Sequence, residues 1–167
     1  MSTGRSLERF ARAQESPTAG FESALQEIRS GGKRGHWMWY ILPQLVGLGQ
    51  SDMSRTYAIA DRAEAEAYLH DPVLSERYLE IISAIADQLE RGVGLEDLMG
   101  SAIDAQKLAS SLTLFGDVAE RLSEEEGVAS LGDVARTARD LLTAAAAQGF
   151  PACEFTRSVL MRSRPGV

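Results

Sequence analysis

Hydrophobic positions recur at helical spacing over much of the chain. Leu7 and Phe10, with Gln14 in register, mark a first short helix over 6–14, and Pro17 stops it from continuing. Phe21, Ala24, Leu25 and Ile28 then form an i, i+3, i+4, i+7 stripe that ends at Gly31-Gly32. The following run, from Lys33 through His36-Trp37-Met38-Trp39-Tyr40-Ile41-Leu42 to Pro43, is too densely apolar and too short for periodicity to separate a buried strand from a short buried helix. Gly47 to Asp52 reads as a loop in which Ser51 or Asp52 caps the next segment. Asp61 opens a short alanine-rich helix that His70 closes. Asp71-Pro72 is the strongest helix start, because an aspartate can accept orphan amides while proline is already shaped for the first turn. Leu74, Tyr78, Ile81, Ile82, Ile85 and Leu89 carry that face to Arg91-Gly92.

After a connection at 94–100, the sequence predicts that Asp104 caps a segment bearing Leu108, Leu112 and Phe115, and that a further helix runs from Leu131 to Ala147 with Gly149 as its stop. Glu124-Glu125-Glu126 reads as a solvated loop or helix edge, since adjacent carboxylates do not converge on a metal. Residues 151–167, with Arg157, Arg162 and Arg164, read as a basic, flexible C-terminal tail.

Composition narrows the class. A chain of 167 residues with 44% hydrophobic content is long enough for one domain, 1–167, with its own core. Its formal charge of -7 argues against a polyanion-binding surface and makes nucleic-acid binding the weakest functional reading. One cysteine, Cys153, closes no internal disulfide. The start lacks the apolar stretch of a secretory signal and no run approaches a membrane span, so a soluble cytoplasmic protein with no membrane partner is expected.

Candidate chemistry concentrates in two places. Lys33, His36, Trp37, Trp39 and Gln44 bring together a cation, a group that titrates near neutrality, two flat rings and an amide that both donates and accepts. The frequency with which aromatic residues are buried favours plain core packing for this run over a ligand pocket. Asp104, Lys107, Ser110 and Ser111 form the second group, in which Asp104 and Lys107 suit an i, i+3 ion pair, exposed or at a pocket. No His-Glu-x-x-His, cysteine pair, P-loop or Gly-x-Ser-x-Gly occurs, so the sequence names no metal site, cofactor or nucleophile.

The chain resembles the uncharacterised bacterial DUF1810 family, also called the Rv1873-like superfamily. The resemblance rests on Gly32-Lys33, on His36 through Leu45, on Gly47-Leu48-Gly49-Gln50-Ser51, on Glu64-Ala65, Tyr68-Leu69 and Asp71-Pro72-Val73-Leu74, and on Asp104 to Leu108 with Ser110 to Phe115. These blocks lie in order over about residues 10–120, and the part after Phe115 carries little of the match. The resemblance implies an all-α fold, a compact irregular array of long and short helices, and hence a helical form for 36–42. It implies no established activity, cofactor or catalytic set.

The working expectation is a domain that binds a small anionic or nucleotide-like metabolite. Lys33, Trp37, Gln44, Lys107, Ser110 and Ser111 would contact the ligand. In a hydrolase or transferase version His36 or Asp104 would handle a proton, Lys33 and Lys107 would stabilise negative charge, and Trp37 would orient the planar part. The alternative is a non-enzymatic protein-interaction or regulatory domain in which Trp37 and Trp39 are core or recognition surface.

Overall fold

The computed structural model describes the backbone of residues 3–164 and the side chains of residues 7–164. Ten helices follow in order among them: α1 (Thr3–Gln14), α2 (Phe21–Arg29), α3 (Met38–Ile41), α4 (Asp52–Tyr57), α5 (Arg62–His70), α6 (Pro72–Glu90), α7 (Leu95–Met99), α8 (Ala102–Glu126), α9 (Ala129–Ala147) and α10 (Glu154–Arg162). The only extended pairing among these residues is an isolated parallel bridge between Leu45 and Ile59. The fold is an all-α multihelical array, and no helix in it is long and apolar enough to cross a membrane.

Side-chain caps account for four of the helix starts. Ser51 Oγ accepts from Ser54 N, Asp61 from Glu64 N, and Asp71 from both Val73 N and Leu74 N, each satisfying an amide that a helix leaves open. Asp104 does not cap α8. Ser101 does, accepting from Asp104 N, which puts Asp104 inside the first turn with its carboxylate turned outward from the cap. The dense run at 36–42 is helical only in its middle, as α3 over Met38–Ile41, with Met38, Tyr40 and Ile41 buried.

α8 is the axis of the molecule. At 25 residues it is about 37 Å long, and it continues well past Phe115 until Gly127, in the left-handed region at φ 68°, turns the chain back into α9. Small residues let these two helices approach closely: a Cβ on Gly116 would stand 3.2 Å from Ala138 Cβ. α6 packs on α2 and α9, α5 lies on α8, and α1 closes over α3 and α5. Phe10, Tyr68, Tyr78 and Phe115 form the aromatic centre, with Tyr68 and Phe115 rings 4.9 Å apart and Tyr78 and Phe115 4.7 Å apart. Buried polar groups there are paired. Gln14 Nε2 donates to Tyr40 O and Tyr68 Oη, and Gln88 Nε2 donates to the carbonyls of Ile28 and Arg29 at the end of α2.

Over 151–164, the stretch whose polarity reads as a tail, the chain forms α10 and docks on α8. Thr156 and Leu160 are buried, and Cys153 N donates to Thr113 Oγ1. Pro165, Gly166 and Val167 lie outside the described residues.

Candidate functional site

The chain leaving α2 is pinned at both ends of its next turn. Lys33 N donates to Leu98 O, and the Glu27 carboxylate accepts from the backbone N–H of Arg34 and Gly35 and from Trp37 Nε1. Trp37 is thereby sealed in the core, fully buried. Lys33 folds back over it: its Nζ donates to Gly35 O at 2.6 Å, lies 5.2 Å from the Trp37 ring centroid and pairs with Asp104 Oδ2 at 2.8 Å. The other carboxylate oxygen, Oδ1, is 3.6 Å from Lys107 Nζ, which stands 5.1 Å from the Trp39 ring centroid. The two groups of the sequence therefore meet in a row that alternates ring, cation, anion, cation, ring, with one net positive charge.

Gln44 lies beside this row. Together with Trp39, Lys107, Met38, Leu42, Ser54, Tyr57 and Ala58 it lines a crevice of only about 10 Å³, room for a single water at most. Gly49 makes the crevice wall possible, since a Cβ there would fall 2.4 Å from Ser54 Oγ. Trp39 Nε1 is buried with no hydrogen-bond partner. Three of the sequence candidates sit elsewhere. His36 is exposed on the turn before α3. Ser111 is in the core with its Oγ 3.0 Å from Tyr78 Oη. Ser110 donates to Gln106 O, one turn back along α8. Both oxygens of Asp104 are occupied by ammonium groups, and no contact joins it to His36.

Chain similarity agrees with this architecture. A family model described as a protein of unknown function (DUF1810) matches residues 4–144. The chain belongs to the DUF1810 family. That match reaches through most of α9, further than the motif blocks that end near Phe115, and stops before α10. Among solved structures, the conserved hypothetical protein Rv1873 from Mycobacterium tuberculosis is similar, at 32% identity and a TM-score of 0.69, covering 91% of this chain and 94% of that one. No curated protein matches.

One feature of this DUF1810 protein had no signal in the sequence beyond its being the single cysteine. Cys153 precedes the first turn of α10 and is partly exposed. Burial alone would push its thiol up, but the polar groups around the sulfur, Thr156 first and then Ser110 and the Phe155 backbone, outweigh it, and the thiol lies below its ordinary value. Ser110 and Thr113, three residues apart on α8, thus serve the chain turn at Cys153 rather than the Lys33–Asp104–Lys107 row. Only the packing of α10 on α8, far apart in sequence, brings them together.

Proposed function

We propose that this DUF1810 protein binds a small planar anion at the Trp39–Lys107–Gln44 crevice. The observation that carries the reading is the Trp39 indole, whose Nε1–H is buried without an acceptor while an ammonium stands over its ring. A buried donor left unpaired costs about 1–3 kcal/mol, which an anionic acceptor recovers. Lys107 supplies the opposite charge, and its contact with Asp104 at 3.6 Å is looser than the 2.8 Å contact of Lys33. Gln44 adds a side-chain amide at the rim. Lys33, Asp104 and Trp37 hold Lys107 and Trp39 in place from beneath.

A crevice of about 10 Å³ opens before a ligand enters. α4, which contributes Ser54 and Tyr57 to the wall, buries none of its residues fully and is the wall that moves, with Tyr57 drawn off Phe10 and Tyr40. Binding fits this arrangement better than turnover, because Asp104 is held by two cations and His36 is not beside it.

A thermal-shift and calorimetric screen with inorganic phosphate, nucleoside phosphates and aromatic carboxylates tests the reading. Trp39→Phe keeps the ring and deletes the N–H, and Lys107→Ala deletes the charge. The expected result is a ligand-dependent rise in melting temperature for the wild type that falls away in both variants. No rise with any of these compounds, or a rise unchanged in both variants, overturns it. A second reading, a non-enzymatic interaction domain, is favoured by one observation: the Phe155 ring, 42% exposed, lies against Gly47, whose chain neighbour Val46 is 48% exposed.

A further inference from the structure

α8, α9 and α10 each present one helical face to a common groove of about 290 Å³. Thr113, Gly116, Asp117 and Glu120 come from α8, Ala135, Arg139 and Leu142 from α9, and Arg157, Leu160, Met161 and Arg164 from α10 and the residues just after it. The spacings are those of single helix faces. The floor exists because Gly116 and Ala135 are small where the helices meet, so apolar surface from Leu142, Leu160 and Met161 borders a space that larger side chains would fill.

The charge around this groove departs from that of the chain as a whole. Four arginines gather there, Arg139, Arg157 and Arg164 on the walls and Arg62 behind them, against Asp117, Glu120 and Glu154. That leaves one net positive charge in a chain of -7. The pairing within the set is uneven. Asp117 is held by the enclosed Arg62 at 2.9 Å, and Glu120 by Arg139 at 2.7 Å. Arg164 reaches Asp117 only at 3.6 Å, and Arg157 reaches only the exposed Glu154, at 3.8 Å. Arg62 Nη1 is itself buried without a hydrogen-bond partner behind Asp117. Asp117 is thus neutralised from behind and Glu120 by Arg139 on the wall, and two guanidinium groups with loose partners remain at the mouth.

We propose that the α8–α9–α10 groove is a second ligand site, for a small amphipathic anion with an apolar body and a single carboxylate or phosphate head. The body lies on Leu142, Leu160 and Met161, and the head is taken by Arg157 and Arg164, whose planar forks match both head groups. The volume is at the small end of ligand pockets, which start near about 300 Å³, so the body is a short chain or one ring system. This site shares no residue with the Trp39–Lys107 crevice, and α10, which builds one wall, lies beyond the stretch that the family model matches.

Titration calorimetry on the full chain tests it with decanoate and octyl phosphate as the two head-group arms. 1-Octanol serves as a body without charge, and acetate and inorganic phosphate as charge without a body. The expected result is saturable binding of decanoate, octyl phosphate or both, and of none of the three controls. Arg157→Ala with Arg164→Ala, both at exposed positions, is expected to weaken binding by about tenfold or more. Ala135→Leu, which fills the groove and leaves every charge in place, is expected to abolish it. Lys107→Ala and Trp39→Phe are expected to leave it unchanged, which separates this site from the crevice. No saturable binding of either amphiphile, equal binding of 1-octanol, or affinity unaltered in the double arginine variant overturns the proposal.

Discussion

The Lys33 ammonium has exchanged most of its water for a carboxylate, a carbonyl and a ring face, and its side chain is only 6% exposed. Lys107 touches the same carboxylate from a more open position, 25% exposed. The two lysines should therefore respond very differently to loss of their contacts with Asp104. Asp104→Asn leaves an enclosed cation facing a neutral amide, and is expected to lower stability by about 3 kcal/mol, the low end for breaking a buried pair because Asp104 itself is partly solvated. Lys107→Ala removes a screened contact and is expected to cost roughly 1 kcal/mol or less. Urea unfolding midpoints of the two variants check the contrast, and equal losses would mean that Lys33 is not the residue Asp104 serves. The row was half legible in the sequence. The i, i+3 spacing of Asp104 and Lys107 shows their contact, but nothing in the local pattern says that Lys33 reaches the same carboxylate, because that depends on Glu27 gathering the turn and on Leu98 O anchoring Lys33 N.

At the level of elements, α6 was readable because Asp71-Pro72 and an unbroken apolar face say the same thing. α10 was not. Its nine residues bury only Thr156 and Leu160 fully, and its arginines, read alone, describe a solvated end. What makes it a helix in place is tertiary: Thr113 Oγ1 accepts from Cys153 N while donating to Ala109 O, so one hydroxyl ties the start of α10 to the backbone of α8. With so small a buried face, the docking of α10 depends heavily on Leu160. Leu160→Ala is expected to cost about 2–4 kcal/mol, and to raise amide exchange in 153–164 before the rest of the chain. Uniform exchange across all helices would instead show that α10 opens only with the whole core. The apolar face of α8 continues past Phe115 through Val118, Ala119 and Leu122, and Gly116 sits beside it where Ala138 on α9 passes close.

For the molecule as a whole, the aromatic centre sets a limit on alkaline stability. Burial holds the hydroxyls of Tyr68 and Tyr78 well above the ordinary tyrosine value, and burial with the neighbouring Tyr57 raises Tyr40 as well. An acid whose pKa is raised by folding stabilises the native state fully below its unfolded value, near about 10, and loses that contribution as pH climbs further. Unfolding free energy should therefore fall with pH above about 10, in step with the appearance of tyrosinate absorbance. Tyr68→Phe should flatten the fall. A stability that stays level while those tyrosines ionise would show that they reach solvent without unfolding. The amphipathic helices were legible from periodicity, and the all-α class from the family resemblance. The groove of α8, α9 and α10 was not, since its three faces become one surface only after α10 turns back on the pair.

The chain has two tryptophans, and each lies under the ammonium of one of two lysines that share Asp104. The protein's tryptophan emission therefore originates wholly at this row. A charge beside an indole changes the energy of its excited-state dipole, so movement of either lysine shifts the emission spectrum. The row is its own optical reporter, read without a label and blind to events in the arginine groove.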